Sequence, residues 1–142
     1  MSDFNERIVD EFRANAGRVE TGGFGTSLVL LHHTGAKSGI ARVSPVLGLR
    51  QNDGSLFIAA SKGGAPDHPA WLANLRAHPE TSIEVPTTTG DGVQMIDVRA
   101  DILTGADRDA GWSQFLNRSP GFAHYEAKAG GRVIAVVRLS PR

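Results

Sequence analysis

Two stretches of the 142-residue chain gather cations, hydroxyls and glycines at spacings that suit an anion. The first is Thr34-Gly35-Ala36-Lys37-Ser38-Gly39-Ile40-Ala41-Arg42-Val43-Ser44-Pro45; the second is Ala60-Ser61-Lys62-Gly63-Gly64-Ala65-Pro66-Asp67-His68-Pro69-Ala70-Trp71. Glycine lets backbone N–H groups turn toward an oxyanion, while Lys37, Arg42 and Lys62 supply charge, so phosphate is the natural guest. The first stretch is not a nucleotide-hydrolysing loop. It lacks the GxxxxGK[ST] spacing and precedes an apolar strand rather than a helix. Taken alone, Gly35 and Gly39 would do no more than shape a hairpin with a solvated lysine. The recurrence of the same chemistry in the second stretch points to one shared site.

Ser61-Lys62-Gly63-Gly64 leads toward a helix beginning near Pro69, whose free N–H groups could help to hold an anion or a carbonyl. On that helix Trp71 and Asn74 share a face; they suit a flat heteroaromatic ligand, or else a core tryptophan and a loop tie. The histidines His32, His33, His68, His78 and His124 offer no HxH strand or HxxxH helix spacing, which argues against a metal centre. Ser38, Ser44 and Ser61 lie outside any G-x-S-x-G elbow, so a hydrolase has little support. Asp107 and Asp109 read as the solvated first turn of a helix. Tyr125, the only tyrosine, is either a core phenol or a hydrogen-bond donor to a substrate oxygen.

The elements that must position these residues follow from periodicity. A length of 142 residues with 40% apolar and 21% charged side chains predicts a single domain over residues 1–142. Fifteen basic residues balance fifteen acidic ones, so no global field recruits nucleic acid. The absence of cysteine removes disulfide and thiolate chemistry. No apolar run is long enough to span a bilayer and the start lacks a secretory pattern, which predicts a cytoplasmic protein. Ser2, with Phe4, Ile8 and Phe12 on one face and Gly17 beyond, predicts a first helix. That helix could cap a substrate pocket or brush a membrane carrying quinones, although its polar face is more acidic than basic. Strands are expected at Ser27–Leu31, Arg42–Arg50, Leu56–Ala60, Thr81–Pro86, Val93–Leu103 (with a bulge at Met95) and Arg132–Leu139. Helices are expected at Pro69–Ala77, Asp107–Leu116 and Pro120–Lys128. Six strands in meanders broken by short helices favour an α+β antiparallel sheet or partly closed barrel.

The motifs, taken together in order, resemble the deazaflavin-dependent nitroreductase family. The resemblance rests on Glu11-Phe12-Arg13-Ala14-Asn15, the Thr34–Pro45 stretch, Ala60-Ser61-Lys62-Gly63-Gly64-Ala65 and His68-Pro69-Ala70-Trp71. It extends through Asn74-Leu75, His78-Pro79, Pro120 through Tyr125-Glu126-Ala127-Lys128, Arg132 and Ser140-Pro141. It implies a six-stranded split β-barrel of the flavin-reductase (FMN-binding) type that binds the reduced deazaflavin coenzyme F420. By that likeness Lys37, Ser38, Gly39, Arg42, Val43, Ser44 and Pro45 would hold the phosphate and lactyl–glutamate tail. Ala59, Ala60, Ser61, Lys62 and Gly63 would lie against the phosphate and ring, and Ala70, Trp71, Leu72, Ala73, Asn74 and Leu75 would line the deazaflavin. Tyr125 would stand at the substrate side, with Tyr125 or Ser61 as proton donor. The implied reaction is hydride transfer to a quinone, with nitroaromatics as adventitious acceptors and no metal or nucleic acid. The chain departs from the family at Ala36 (usually arginine), at His32 and His33 (a run of threonines) and at Leu72 (commonly tyrosine). Those departures motivate the alternative of a non-catalytic carrier of a deazaflavin or apolar small molecule.

Overall fold

The computed structural model describes residues 3–65 and 67–142. Helix α1 (Asp3–Ala14) buries Ile8, Val9 and Phe12, whose spacing puts them on one stripe. Ser2, the expected cap, lies outside the described residues. Phe4 departs from the expected stripe: it is 45% exposed and borders a groove instead of the core. The helix ends near Gly17, whose N–H donates to the carbonyl of Phe12 at 2.8 Å.

Seven strands follow: β1 (Leu28–Thr34), β2 (Ala41–Leu47), β3 (Leu49–Arg50), β4 (Leu56–Ala59), β5 (Glu80–Pro86), β6 (Val93–Ile102) and β7 (Val136–Pro141). Among them lie α2 (Ala70–Ala77), α3 (Gly105–Arg118) and α4 (Gly121–Lys128). Every strand pair is antiparallel, and the sheet order is β2-β1-β5-β6-β7-β4-β3. The two edge strands, β2 and β3, are consecutive in the chain and separated by Gly48 alone. The sheet is therefore curled until its edges meet through one residue.

That curl corrects the expected count of six. The stretch Arg42–Arg50, expected as one strand, is two: its first part pairs with β1 and its last two residues pair with β4. Gly48 marks the change of partner. A Cβ there would sit 3.2 Å from side-chain atoms of both Val29 and Leu56. The last strand also begins later than expected, at Val136, because Arg132 and Ile134 are drawn toward other elements. No bulge occurs at Met95: the β5–β6 register runs unbroken from Glu80↔Arg99 to Pro86↔Val93, and Met95 is exposed.

The strict alternation of strand side chains sorts the core into an inner and two outer clusters. Inside the curl, Val29, Leu31, Ile58, Ile83, Val98 and Leu139 pack around Trp71, Leu72 and Leu75 of α2. On the outer face of β1 and β2, α1 covers Leu28 and Leu30. On the outer face of β7 and β4, Trp112 and Phe115 of α3 cover Val136, Phe57 and Ala59. Between these two outer helices the face of β2 is left open.

Candidate active site

A groove of about 1570 Å³ follows β2 between α1 and the α3–α4 pair. Outward-facing Val43, Pro45 and Leu47 form its floor, opposite His32, Leu30 and Leu28 in the β1 register. Arg42, Ser44 and Val46, which alternate to the other face of β2, line it too. Ile8, Val9 and Arg13 of α1 form one wall; Phe115, Phe122 and Tyr125 form the other.

Of the residues singled out from sequence, the groove brings together Arg42, Val43, Ser44, Pro45, Ala59, Ser61, Lys62, Ala70, Trp71 and Tyr125. Lys37, Ser38 and Gly39 do not line it. They form the exposed tip of the β1–β2 hairpin, closed by the Gly35 N–H to the Ile40 carbonyl at 2.9 Å. Ala60, Leu72 and Leu75 are inner-core residues. Ala73 is exposed on the far side of α2, and Gly63 continues the turn after Ser61. Arg42 and Lys37 have no carboxylate partner among the described residues, whereas Lys62 pairs with Asp67 at 3.1 Å. Arg42 is thus a groove-lining cation whose charge is not compensated.

Asn74 lies behind the groove as a tie between α2 and the hairpin. Its Oδ1 accepts the Ala36 N–H at 2.9 Å, which fixes the amide's orientation, because a backbone N–H can only donate. Its Nδ2 therefore donates to His33 Nδ1 at 2.9 Å. His33 must accept at Nδ1 and carry its proton on Nε2, which donates to Ser44 Oγ at 2.9 Å. The Ser44 hydroxyl has its own proton free for a ligand. Burial, reinforced by the nearby charge of Arg42, pushes the His33 pKa down to about 4, so the relay stays in this neutral form near pH 7.

The second cluster is shaped by Arg132. Its guanidinium donates to the carbonyls of Ala60 (2.9 Å), Ser61 (2.8 Å) and Ala65 (3.0 and 2.8 Å). This clamp holds the turn that carries Ser61 and Lys62, with Lys62 in the left-handed region at φ +48°. Gly64 closes the turn against α4, where a Cβ would come within 2.9 Å of the Tyr125 carbonyl. The Tyr125 ring meets Phe122 edge-on at 5.8 Å.

One cluster went unnoticed in the sequence. Glu84, 8% exposed on the outer face of β5, receives Arg13 of α1 at both oxygens (3.1 and 2.7 Å) and His32 Nε2 at 2.7 Å. Arg13 above all, with help from His32, holds the Glu84 carboxyl below its ordinary pKa against the opposing effect of burial. No local signal announces it, since Glu84 lies 52 residues from His32 and 71 from Arg13. Among the described residues no group of three His, Asp or Glu side chains could hold a metal. No helix among them is long and apolar enough to cross a membrane.

Comparison with known proteins shows the family and the fold. The family model described as F420H(2)-dependent quinone reductase matches residues 5–141. A Mycobacterium tuberculosis protein named F420H(2)-dependent quinone reductase is 35% identical over 117 residues, covering 80% of this chain and 73% of its own. A solved F420-H2 dependent reductase, FDR-A, superposes with a TM-score of 0.67 at 35% identity, over 80% of this chain and 94% of its own. A FAD-binding protein of Mesorhizobium loti, 18% identical, gives a TM-score of 0.56 over the whole chain and 89% of its own, a likeness of fold alone.

Proposed function

The chain belongs to the F420H(2)-dependent quinone reductase family, and from that premise we propose that its groove holds reduced coenzyme F420 beside a quinone and carries out hydride transfer between them. The observation that carries this reading is the uncompensated Arg42 in a groove whose floor of Val43, Pro45 and Leu47 and whose Phe115 and Phe122 wall are apolar. An anionic tail and a flat apolar acceptor need both kinds of surface in one place.

The residues present fit such a cofactor. Arg42, Ser44, Ser61 and Lys62 offer charge and donors along the groove, and the Arg132 clamp occupies three carbonyls of the second cluster. Lys37, at the hairpin tip, is placed to meet a tail that extends beyond the groove. Ala59, Ala70, Trp71, Val43 and Pro45 provide apolar surface for a ring system. Bound reduced deazaflavin would supply the hydride. The chain's own task is then alignment and exclusion of water: α1 and α4 wall the groove, and Tyr125, whose hydroxyl has no protein partner among the described residues, can donate to an acceptor oxygen. A nitroaromatic of similar shape would use the same surface.

Anaerobic mixing of reduced F420 with menadione and catalytic amounts of protein tests the reading. Oxidation of the cofactor that saturates with menadione is the expected result, and it also excludes a mere carrier. Tight binding of FMN with no binding of F420 would overturn it.

A further inference from the structure

Beyond binding the cofactor and walling the acceptor, a quinone reductase must deliver a proton. We propose that His32, backed by Glu84, is the catalytic proton donor to the reduced acceptor. The inference rests on the quinone-reductase reading and concerns a cluster to which the family resemblance assigns no role.

Four observations carry it. His32 lines the groove on the same outward face as Leu28, Val43, Pro45 and Leu47, the apolar floor on which an acceptor would lie. Its side chain is 30% exposed, so it is reachable from the groove. Its Nε2 is 2.7 Å from Glu84 Oε2, and Glu84 is held ionised by the two-pronged Arg13 contact, so Glu84 can only accept. Nε2 therefore bears a hydrogen in both charge states of the ring, and Nδ1 is the atom that gains and loses a proton. No described residue occupies Nδ1. The groups facing the ring are Glu84 from β5 and Arg13 from α1, with Asp10 beside Arg13 and Arg42 near His33.

The step balances as follows. Hydride transfer adds two electrons and one proton's mass to the quinone and leaves the hydroquinone monoanion. The N–H bond at Nδ1 of the His32 imidazolium breaks as an O–H bond forms on that oxyanion, giving neutral hydroquinone and neutral imidazole. Water then returns a proton to Nδ1, while the Nε2–H bond to Glu84 persists throughout. Glu84 and Arg13 are positioning residues: Glu84 fixes the tautomer and the ring's orientation, and Arg13 fixes Glu84, without either touching the acceptor.

Two acceptors separate this role from a structural one. With menadione, His32→Gln should lower kcat by about 100-fold. With tetrachlorobenzoquinone, whose hydroquinone is far more acidic and can depart as its anion, the loss should shrink to within about 3-fold. Tyr125→Phe should show no such dependence on the quinone. In the ligand-free protein, long-range nitrogen–proton NMR correlations, assigned by comparison with His32→Gln, should show Nε2 protonated and Nδ1 bearing the lone pair in the neutral ring at alkaline pH, with Nδ1 the atom that takes up a proton on acidification. Equal losses with both quinones, no loss with either, a quinone-dependent loss confined to Tyr125→Phe, or the opposite tautomer would overturn the assignment while leaving the quinone-reductase reading intact. Wild-type protein that reduces neither quinone would overturn that reading, and the His32 role with it.

Discussion

Asn74 decides where the proton of His33 sits, and this gives a pH signature. The unfolded imidazole titrates near its ordinary value of 6.5, whereas the folded one is pushed down to about 4. As pH falls through that window the unfolded chain takes up a proton that the folded chain refuses, so stability is lost, by up to about 3 kcal/mol once pH reaches 4. Glu84, lowered from 4.5, loses its contribution in the same direction but at still lower pH. Urea unfolding of wild type and His33→Gln between pH 7 and 4.5 separates the two. The glutamine amide offers one acceptor and one donor, and should remove the part of the slope above pH 4.5 that His33 contributes while keeping Ser44 tied, leaving the contribution of the lowered His68, which has the same sign. On the ligand side, Arg42→Ala should weaken F420 binding by about 1.5–3 kcal/mol through loss of a charge-assisted contact, measurable by fluorescence titration. Affinity unchanged by that substitution would remove Arg42 from the cofactor contacts.

At the scale of elements, the turn after β4 is held from outside itself. Arg132, just upstream of β7, satisfies carbonyls of Ala60, Ser61 and Ala65 that would otherwise face one another. Arg132→Ala should destabilise the fold by about 3 kcal/mol and speed amide exchange at Lys62–Ala65. Arg132→Lys should recover only part of either effect, because an ammonium lacks the planar fork. Gly64→Ala tests the same turn from its other side. At φ +83°, with a Cβ crowding the Tyr125 backbone, alanine should cost about 2 kcal/mol. Because it pushes against α4, menadione turnover should fall further than global stability; turnover that merely tracks stability would show that the turn does not set the Tyr125 position.

Across the whole molecule, what was legible in the sequence was local. Period-two runs such as Ile96, Val98, Ala100 and Ile102, and the bracketing of α2 by Pro69 and Pro79, mark elements whose signal lies within a few residues. Trp71 and Arg42 stood out by type and spacing, and both line the groove. Ser2 as a cap falls outside the described residues, so that expectation stands without a structural counterpart. The rest depended on distance along the chain. Trp71, Leu72 and Leu75 all belong to the inner cluster, yet Trp71 alone of the three also reaches the groove, a distinction fixed by how α2 docks and not by its own periodicity. Asn74 meets Ala36 across 38 residues, and Glu84 meets Arg13 across 71. The division of β2 from β3 left no turn signature, because Gly48 has no left-handed φ and is set apart by the close approach of Val29 and Leu56. Gly48→Ala should cost about 1–2 kcal/mol by crowding Val29 and Leu56, with Gly48→Val costing more; equal urea midpoints for wild type and both variants would show that the edges meet without strain.

The one-residue join at Gly48 also limits how such a chain can diversify. Strand faces alternate with period two, so inserting a single residue there would force either β2 or β3 to turn its side chains over. If β2 turned, Arg42 and Ser44 would trade places with Val43 and Pro45, and a cation and a hydroxyl would stand in the apolar floor of the groove. Descendants of this chain can therefore explore new acceptors by substitution along β2, while changes of length at its end are closed to them.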